Sequence, residues 1–300
     1  MFPKTHSRRA APSSNSNSEF TIKDLLFWGK EKLQDLGREE AQVSAERLLQ
    51  AVLNFDRTRL HLEADRKISS EVSLHYQRLI DRRRRREPVA YLAGESFFWK
   101  ERLEVGPGCL IPRPETEILV GQFLEISGFK PKDAFSFLDL GSGSGAIGIA
   151  ILREFPKSHG TLVDISPSAL SITKKNIHQY HLENRTEVIL SDLFSGLAGQ
   201  RFDAILSNPP YLSESDWKNV GPEILFEPRE ALAGGTDGCD FYRKIAQEAP
   251  AYLRRAGWLA LEAGIGQSKK IHQWLSDRFD NLYLFDDDAG ISRVVMGQLQ

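Results

Sequence analysis

The chain has 300 residues, 41% of them hydrophobic and 27% charged, and a formal net charge of -2. That length accommodates one large domain plus a small one, and the composition is ordinary for a globular protein. The balance of charge argues against a protein that lives on bulk nucleic acid. The two cysteines, Cys109 and Cys239, lie too far apart for a metal or disulfide pattern and fit a reducing cytoplasm. No apolar run approaches the roughly 20 residues of a membrane span.

Residues 1–18 carry Lys4, Arg8 and Arg9, several serines and no acid. Low hydrophobicity predicts a disordered extension, with an organelle transit peptide as the alternative. Residues 19–87 read as a helical bundle. Leu25, Leu26, Trp28, Leu33 and Leu36 recur at helix spacing, and Gly37 is a natural stop. Ala41, Ala45, Leu48, Leu49 and Val52 mark a second apolar face. A third helix is predicted from Ser69 or Ser70 to Arg86, with Ser70 as N-cap and Val72, Leu74, Tyr76, Leu79 and Ile80 as core. The five arginines from Arg82 to Arg86 read as its solvated end, with an acidic partner or RNA as the alternative contact.

Pro88 ends that helix. Residues 88–114 read as a β-hairpin linker, with short strands at Phe97-Phe98-Trp99 and Leu103-Glu104-Val105 and a turn at Gly106-Pro107-Gly108. From 115 to 300 strands and helices alternate. The expected strands are Ala134–Leu140, Gly160–Ile165, Thr186–Leu190, Phe202–Ser207, Trp258–Glu262, Leu282–Phe285 and Arg293–Gly297. The expected helices are Ala146–Glu154, Pro167–Tyr180, Phe241–Arg254 and Gln267–Arg278. Such alternation predicts an α/β fold with a doubly wound, mostly parallel sheet.

The first strand runs into Asp139-Leu140-Gly141-Ser142-Gly143-Ser144-Gly145, a glycine turn that lets the backbone approach a ligand. Gly143, Gly145 and Gly148 satisfy the dinucleotide fingerprint, a weak match alone. Asp164 ends the second strand and can hold ribose hydroxyls in either ligand class. With Asp192 after the third strand, the Asp139–Gly145 pattern resembles the seven-stranded, Rossmann-like S-adenosylmethionine methyltransferases. That resemblance implies S-adenosyl-L-methionine as cofactor, with its amino acid and ribose against Gly141 to Gly145, ribose hydroxyls on Asp164, and adenine near Asp192 and Leu193.

The strand Phe202–Ser207 ends in Asn208-Pro209-Pro210-Tyr211, where an open parallel sheet places its ligands. An amide nitrogen is a poor nucleophile whose hydrogens must be held so that its lone pair meets the methyl donor. Asn208 Oδ1 and the Pro209 carbonyl can each accept one hydrogen. The prolines stiffen the turn, so the acceptors are preorganised. The Tyr211 ring can stack on a planar target or hold the cationic donor. Asn208, Pro209 and Tyr211 are the candidate catalytic residues, and Asn208 to Tyr211 the candidate substrate site, with Asn208 also near the cofactor. The motif admits both protein amides and exocyclic amines of DNA or RNA bases.

Longer strings discriminate. Glu87 to Glu95, Leu110 to Glu117, Phe226 to Leu232, Gly234-Gly235, Asp237-Gly238, Phe241-Tyr242, Asp288-Ala289-Gly290 and Arg293-Val294-Val295 closely resemble the protein-(glutamine) methyltransferases of peptide chain release factors, the PrmC or HemK family. The resemblance runs from about residue 20 to near the end. It implies methylation of the glutamine of the Gly-Gly-Gln motif of class I release factors, docking aided by the helical domain, and Arg113 and Glu115 as organisers of hinge and pocket. Ser142 stands where the family commonly has threonine, and Leu193 where some members have an aromatic. A cytoplasmic monomer with no metal, membrane or nucleic-acid partner is expected. His178 and His181 share a helix face without a third ligand, and Asp286-Asp287-Asp288 lacks calcium-loop spacing. A base-amine methyltransferase is the alternative function, and a noncatalytic module that keeps the fold is a third reading.

Overall fold

The computed structural model describes residues 20–300, which form two compact units divided after Val89. The predicted extension over 1–18 lies outside the described residues. Among the described residues no helix is long and apolar enough to cross a membrane.

The first unit contains the two-residue strand β1 (Phe20–Thr21), helices α1 (Ile22–Lys32), α2 (Arg38–Leu53) and α3 (Arg57–Leu62), the strand β2 (Lys67–Ile68), and helix α4 (Ser70–Arg84). Thr21 and Asp24 form a reciprocal capping box that starts α1. Ser69, rather than the expected Ser70, caps α4, its side chain accepting the Val72 N–H. Tyr76 is the central ring and is fully buried. Leu74, expected in the core, is 49% exposed, while Ser73 is buried. The buried stripe Ser73, Tyr76, Ile80 and Arg83 advances by three or four residues, and Leu74 falls outside it.

The arginine run is not uniformly solvated. The Arg83 side chain is almost fully buried, with Nε donating to Ser44 Oγ at 3.1 Å and Nη2 to Glu40 Oε1 at 3.0 Å. Its neighbours Arg82 and Arg84 stay exposed and pair with Glu87 and Asp81. A buried guanidinium needs such partners to offset its desolvation.

The second unit begins within the short helix α5 (Val89–Ala93) and continues into the hairpin β3 (Glu95–Phe98) and β4 (Glu101–Glu104). Its turn is Trp99-Lys100, with Trp99 at φ 57°, and Gly106-Pro107-Gly108 follows the second strand. Then come α6 (Thr116–Ile126), β5 (Ser136–Leu140), α7 (Ala146–Glu154), β6 (His159–Asp164), α8 (Pro167–Gln179), β7 (Thr186–Leu190) and β8 (Phe202–Ser207). The chain ends with α9 (Glu214–Trp217), α10 (Asp240–Tyr252), β9 (Leu253–Glu262), α11 (Ser268–Leu275), β10 (Phe279–Asp286) and β11 (Ser292–Leu299).

Seven strands form one sheet in the order β10-β11-β9-β8-β5-β6-β7. Only β11 runs antiparallel to its neighbours. The strands alternate their faces: Phe137 packs toward α6 and α7, while Leu138 and Leu140 pack toward α10 and α11. Each large apolar side chain fully buried here contributes about 1.5–3 kcal/mol. From β5 the chain winds outward to β6 and β7, then returns to β8 on the other side. The gap between the carboxyl ends of β5 and β8 is therefore the topological switch point, where doubly wound sheets bind ligands.

Candidate functional site

A cavity of about 270 Å³ lies at that switch point. Gly141 and Gly143 from the glycine turn, Asp164, Asp192, Leu193, Asn208, Pro209 and Pro210 all line it. The sheet thus gathers sequence-predicted residues from the ends of four strands. Ser142, Ser144, Gly145 and Tyr211 stand behind this wall. Ser142 is buried, and its hydroxyl has no hydrogen-bond partner among the described residues. The Ser144 carbonyl accepts from Asn176 Nδ2 at 2.9 Å, and the Tyr211 carbonyl accepts from Gln267 Nε2 at 2.9 Å.

The turn is held from below and from the side. Asp139 Oδ2 accepts the Gly148 N–H at 2.8 Å, joining the end of β5 to the first turn of α7. Asp139 is wholly buried, Oδ1 lacks a hydrogen-bond partner among the described residues, and burial pushes the carboxyl up to about 7. A side chain at Gly148 would meet Leu162 at 2.8 Å, so the glycine lets α7 lie close against β6. Gly141 and Gly143 differ: both have positive φ, and a Cβ on either would project into open space. Bare backbone therefore faces the cavity.

Asp164 braces the same turn from the end of β6. Its Oδ2 accepts the Gly143 N–H at 2.8 Å and its Oδ1 the Ser166 N–H at 2.9 Å. Burial raises its pKa, and those N–H groups oppose the shift by favouring the charged form. Asn176 of α8 ties in the hairpin, donating from Nδ2 to the Glu104 carbonyl while Oδ1 accepts the Glu104 N–H at 2.7 Å.

Several wall residues carry no motif of their own in the sequence. Gly108, Cys109 and Leu110 come from the segment after the hairpin, and Pro228, Glu230, Phe241 and Lys244 from the region after Asn208. The only sequence signal was that two of these segments overlap the resembling strings. Burial pushes the Cys109 thiol up to about 11, so it is not a reactive thiolate. Ile165, beside Asp164, is 59% exposed and offers a flat apolar surface at the cavity. Glu227 joins the two segments. Its carboxylate accepts from Arg113 Nη2 at 2.5 Å and from the Ile111 N–H at 3.0 Å. Glu115 makes no comparable bridge among the described residues.

Behind Asn208 stand two further unpredicted residues. Asn208 Nδ2 donates to Thr116 Oγ1 at 3.0 Å, and Thr116 Oγ1 donates to Glu262 Oε2 at 2.5 Å. Among the described residues no group of three or more acids, histidines or cysteines could hold a metal ion.

Comparison with known proteins agrees with this architecture. Residues 24–94 match the PrmC N-terminal domain, and residues 116–239 the methyltransferase small domain. A release factor glutamine methyltransferase of Geobacter sulfurreducens is 37% identical over 282 residues, covering 93% of this chain and 97% of that protein. One from Aquifex aeolicus is 34% identical over 277 residues, covering 92% and 95%. Among solved structures, a 16S rRNA methyltransferase of T. thermophilus in complex with AdoMet and guanosine shares the fold, with a TM-score of 0.52 and 18% identity over 69% of this chain and 50% of that one. The glycine turn, the Asn-Pro-Pro-Tyr strand end and similarity to these relatives over nearly their full length converge: the chain is a methyltransferase and belongs to the release factor glutamine methyltransferase family.

Proposed function

We propose that this protein methylates the side-chain amide nitrogen of the glutamine in the Gly-Gly-Gln motif of class I peptide chain release factors, using S-adenosyl-L-methionine, and so supports translation termination. The observation that supports a planar N–H target is the orientation of Asn208, and the choice of a protein glutamine over a base amine is supported by the near full-length similarity to release factor glutamine methyltransferases. The Asn208 amide nitrogen is engaged by Thr116. The side-chain carbonyl is then the group presented to a substrate N–H, as an amide target requires.

The residues fit the cofactor. Bare backbone at Gly141 and Gly143 admits close approach, the Asp164 carboxylate can accept ribose hydroxyls, and Asp192, Leu193 and Ile165 can flank a flat purine. S-adenosylmethionine supplies an electrophilic methyl on a sulfonium. The chain's own contribution is alignment: Asn208 and the Pro209 carbonyl hold the two amide hydrogens, and the preorganised acceptors turn the lone pair toward the donor. The nitrogen sheds its proton after attack, so no general base is needed beforehand. Tyr211 backs this segment, its phenol pushed up to about 12 by burial and the nearby Glu262, and therefore neutral at working pH. The helical unit and its acid-paired arginines serve release-factor docking in this reading.

The test offers labelled S-adenosylmethionine with release factor, ribosomal RNA and DNA separately. Label on the release-factor glutamine, identified by peptide mass, is expected. Label on nucleic acid alone would replace this reading with a base-amine methyltransferase, and none anywhere despite cofactor binding would indicate a noncatalytic module.

A further inference from the structure

The polar chain behind Asn208 joins three separate elements. Thr116 opens α6, Glu262 ends β9, and Asn208 follows β8. Thr116 and Glu262 are 4% and 2% exposed, so bulk water does not satisfy them. A hydroxyl has one proton to give. Thr116 commits its proton to Glu262 at 2.5 Å, so its oxygen acts only as an acceptor toward Asn208. An asparagine amide carries its acceptor and donor on opposite corners. The donor corner faces Thr116, and the acceptor corner is left for the substrate.

We propose that Thr116 and Glu262 are positioning residues that set which end of the Asn208 amide meets the substrate nitrogen. The inference rests on the reading of the target as a primary amide. In this orientation Asn208 accepts a substrate hydrogen. Flipped, its NH2 would oppose the substrate NH2, and the site would lose an acceptor.

The device depends on the charge of Glu262. An ionised carboxylate only accepts, which forces the arrangement described. A protonated one can donate to Thr116, freeing the threonine proton for the Asn208 oxygen and favouring the flip. Burial pushes Glu262 up to about 7, against the Thr116 hydrogen bond. Glu115 adds to the rise, while Arg293 of β11 and Arg113 oppose it. The facing phenols do not titrate there: Tyr242 of α10, which donates to the Glu262 carbonyl at 2.9 Å, is raised well above its ordinary value, and Tyr211 is raised also. Methyl transfer is therefore expected to fall as pH drops through the Glu262 titration.

The test compares the parent with Thr116→Val, Thr116→Ser and Glu262→Gln in single-turnover transfer to release factor, from about pH 5.5 to about 9. Thr116→Val is expected to lower the rate about 30-fold, with release-factor and cofactor affinities within about threefold of the parent, and Thr116→Ser to recover to within about threefold. Glu262→Gln is expected to lose the acid limb of the profile. Parent rates in Thr116→Val, or an acid limb unchanged in Glu262→Gln, would overturn the proposal. A readout free of turnover separates it from the substrate reading. The Asn208 side-chain NH2 resonances, assigned by their loss in Asn208→Asp, should shift with pH in the parent and not in Glu262→Gln. Absence of that shift in the parent overturns the relay, whereas a parent that transfers no methyl to release factor while showing the shift overturns only the substrate reading.

Discussion

Arg113 and Glu227 form an ion pair at 2.5 Å, across 114 residues of sequence, with the Glu227 side chain 1% exposed. The pair fastens the segment leading into α6 to the segment after Asn208, next to cavity residues Leu110 and Pro228. Breaking a buried pair from one side strands the other charge. Arg113→Ala is expected to destabilise the fold by about 3–5 kcal/mol. Glu227→Gln keeps an acceptor for the Ile111 N–H and should cost about 1–2 kcal/mol. Urea denaturation of both variants and the double variant checks the coupling. Additivity within about 0.5 kcal/mol would show that the pair does not act as a unit.

Asp164 has two duties that one substitution removes together. Its oxygens brace Gly143 and Ser166, and the side chain lines the cavity. Asp164→Ala should weaken S-adenosylhomocysteine binding by about 30-fold, or about 2 kcal/mol, as read by titration calorimetry. Asp164→Asn keeps one acceptor and should fall between the parent and alanine. Affinity in Asp164→Ala equal to the parent would remove this residue from the cofactor site.

Asn208→Ala deletes the acceptor offered to the substrate but leaves the glycine turn intact. The expected loss in turnover is about 100-fold to 1,000-fold, with cofactor affinity within about threefold. Stopped-flow or quenched single-turnover transfer distinguishes this from a binding defect. Full turnover would remove Asn208 from its assigned role.

Asp139 ionises in the unfolded chain in the ordinary carboxylate range, but in the fold only near pH 7. The folded state therefore binds the extra proton between about pH 4 and 7, and stability should decline as pH rises through that window. Asp139→Asn keeps an oxygen for the Gly148 N–H and removes the ionisation. It should flatten the decline and raise stability at pH 8 by a few kcal/mol. Thermal melts from acid to mild alkali provide the check, and identical pH slopes in parent and variant would contradict the assignment.

Several elements were legible to the residue. Thr186–Leu190, Phe202–Ser207 and Ala146–Glu154 form with the expected bounds, the last two on apolar runs and the first on β-branched residues at a sheet edge. Errors arose where pairing overrode local composition. Arg254 was expected in a helix, yet β9 begins at Leu253 because Leu253 pairs with Phe202 across an irregular register. β10 extends back to Phe279 because β11 supplies ladder partners for Phe279 and the polar Asp280, with a register shift before Tyr283. The β-formers after Pro88 predict extended chain, yet Val89–Ala93 forms a five-residue helix.

The site divided along the same line. Local sequence determined the glycine turn, Asp164 after its strand and Asn208 after β8, because strand ends, glycines and prolines constrain their own neighbourhood. No local signal gave Thr116 or Glu262 a role beside Asn208; they meet across 146 residues only because β9 lies beside β8 and α6 packs on the face of the sheet over β9 and β11. The sequence by itself determined that the glycine turn, Asp164, Asp192 and Asn208 reach the cavity, but not the walls contributed by Gly108 to Leu110 and by Pro228 to Lys244. The tertiary structure decided how Asn208 is turned there, because a one-proton hydroxyl between two distant side chains sets its orientation.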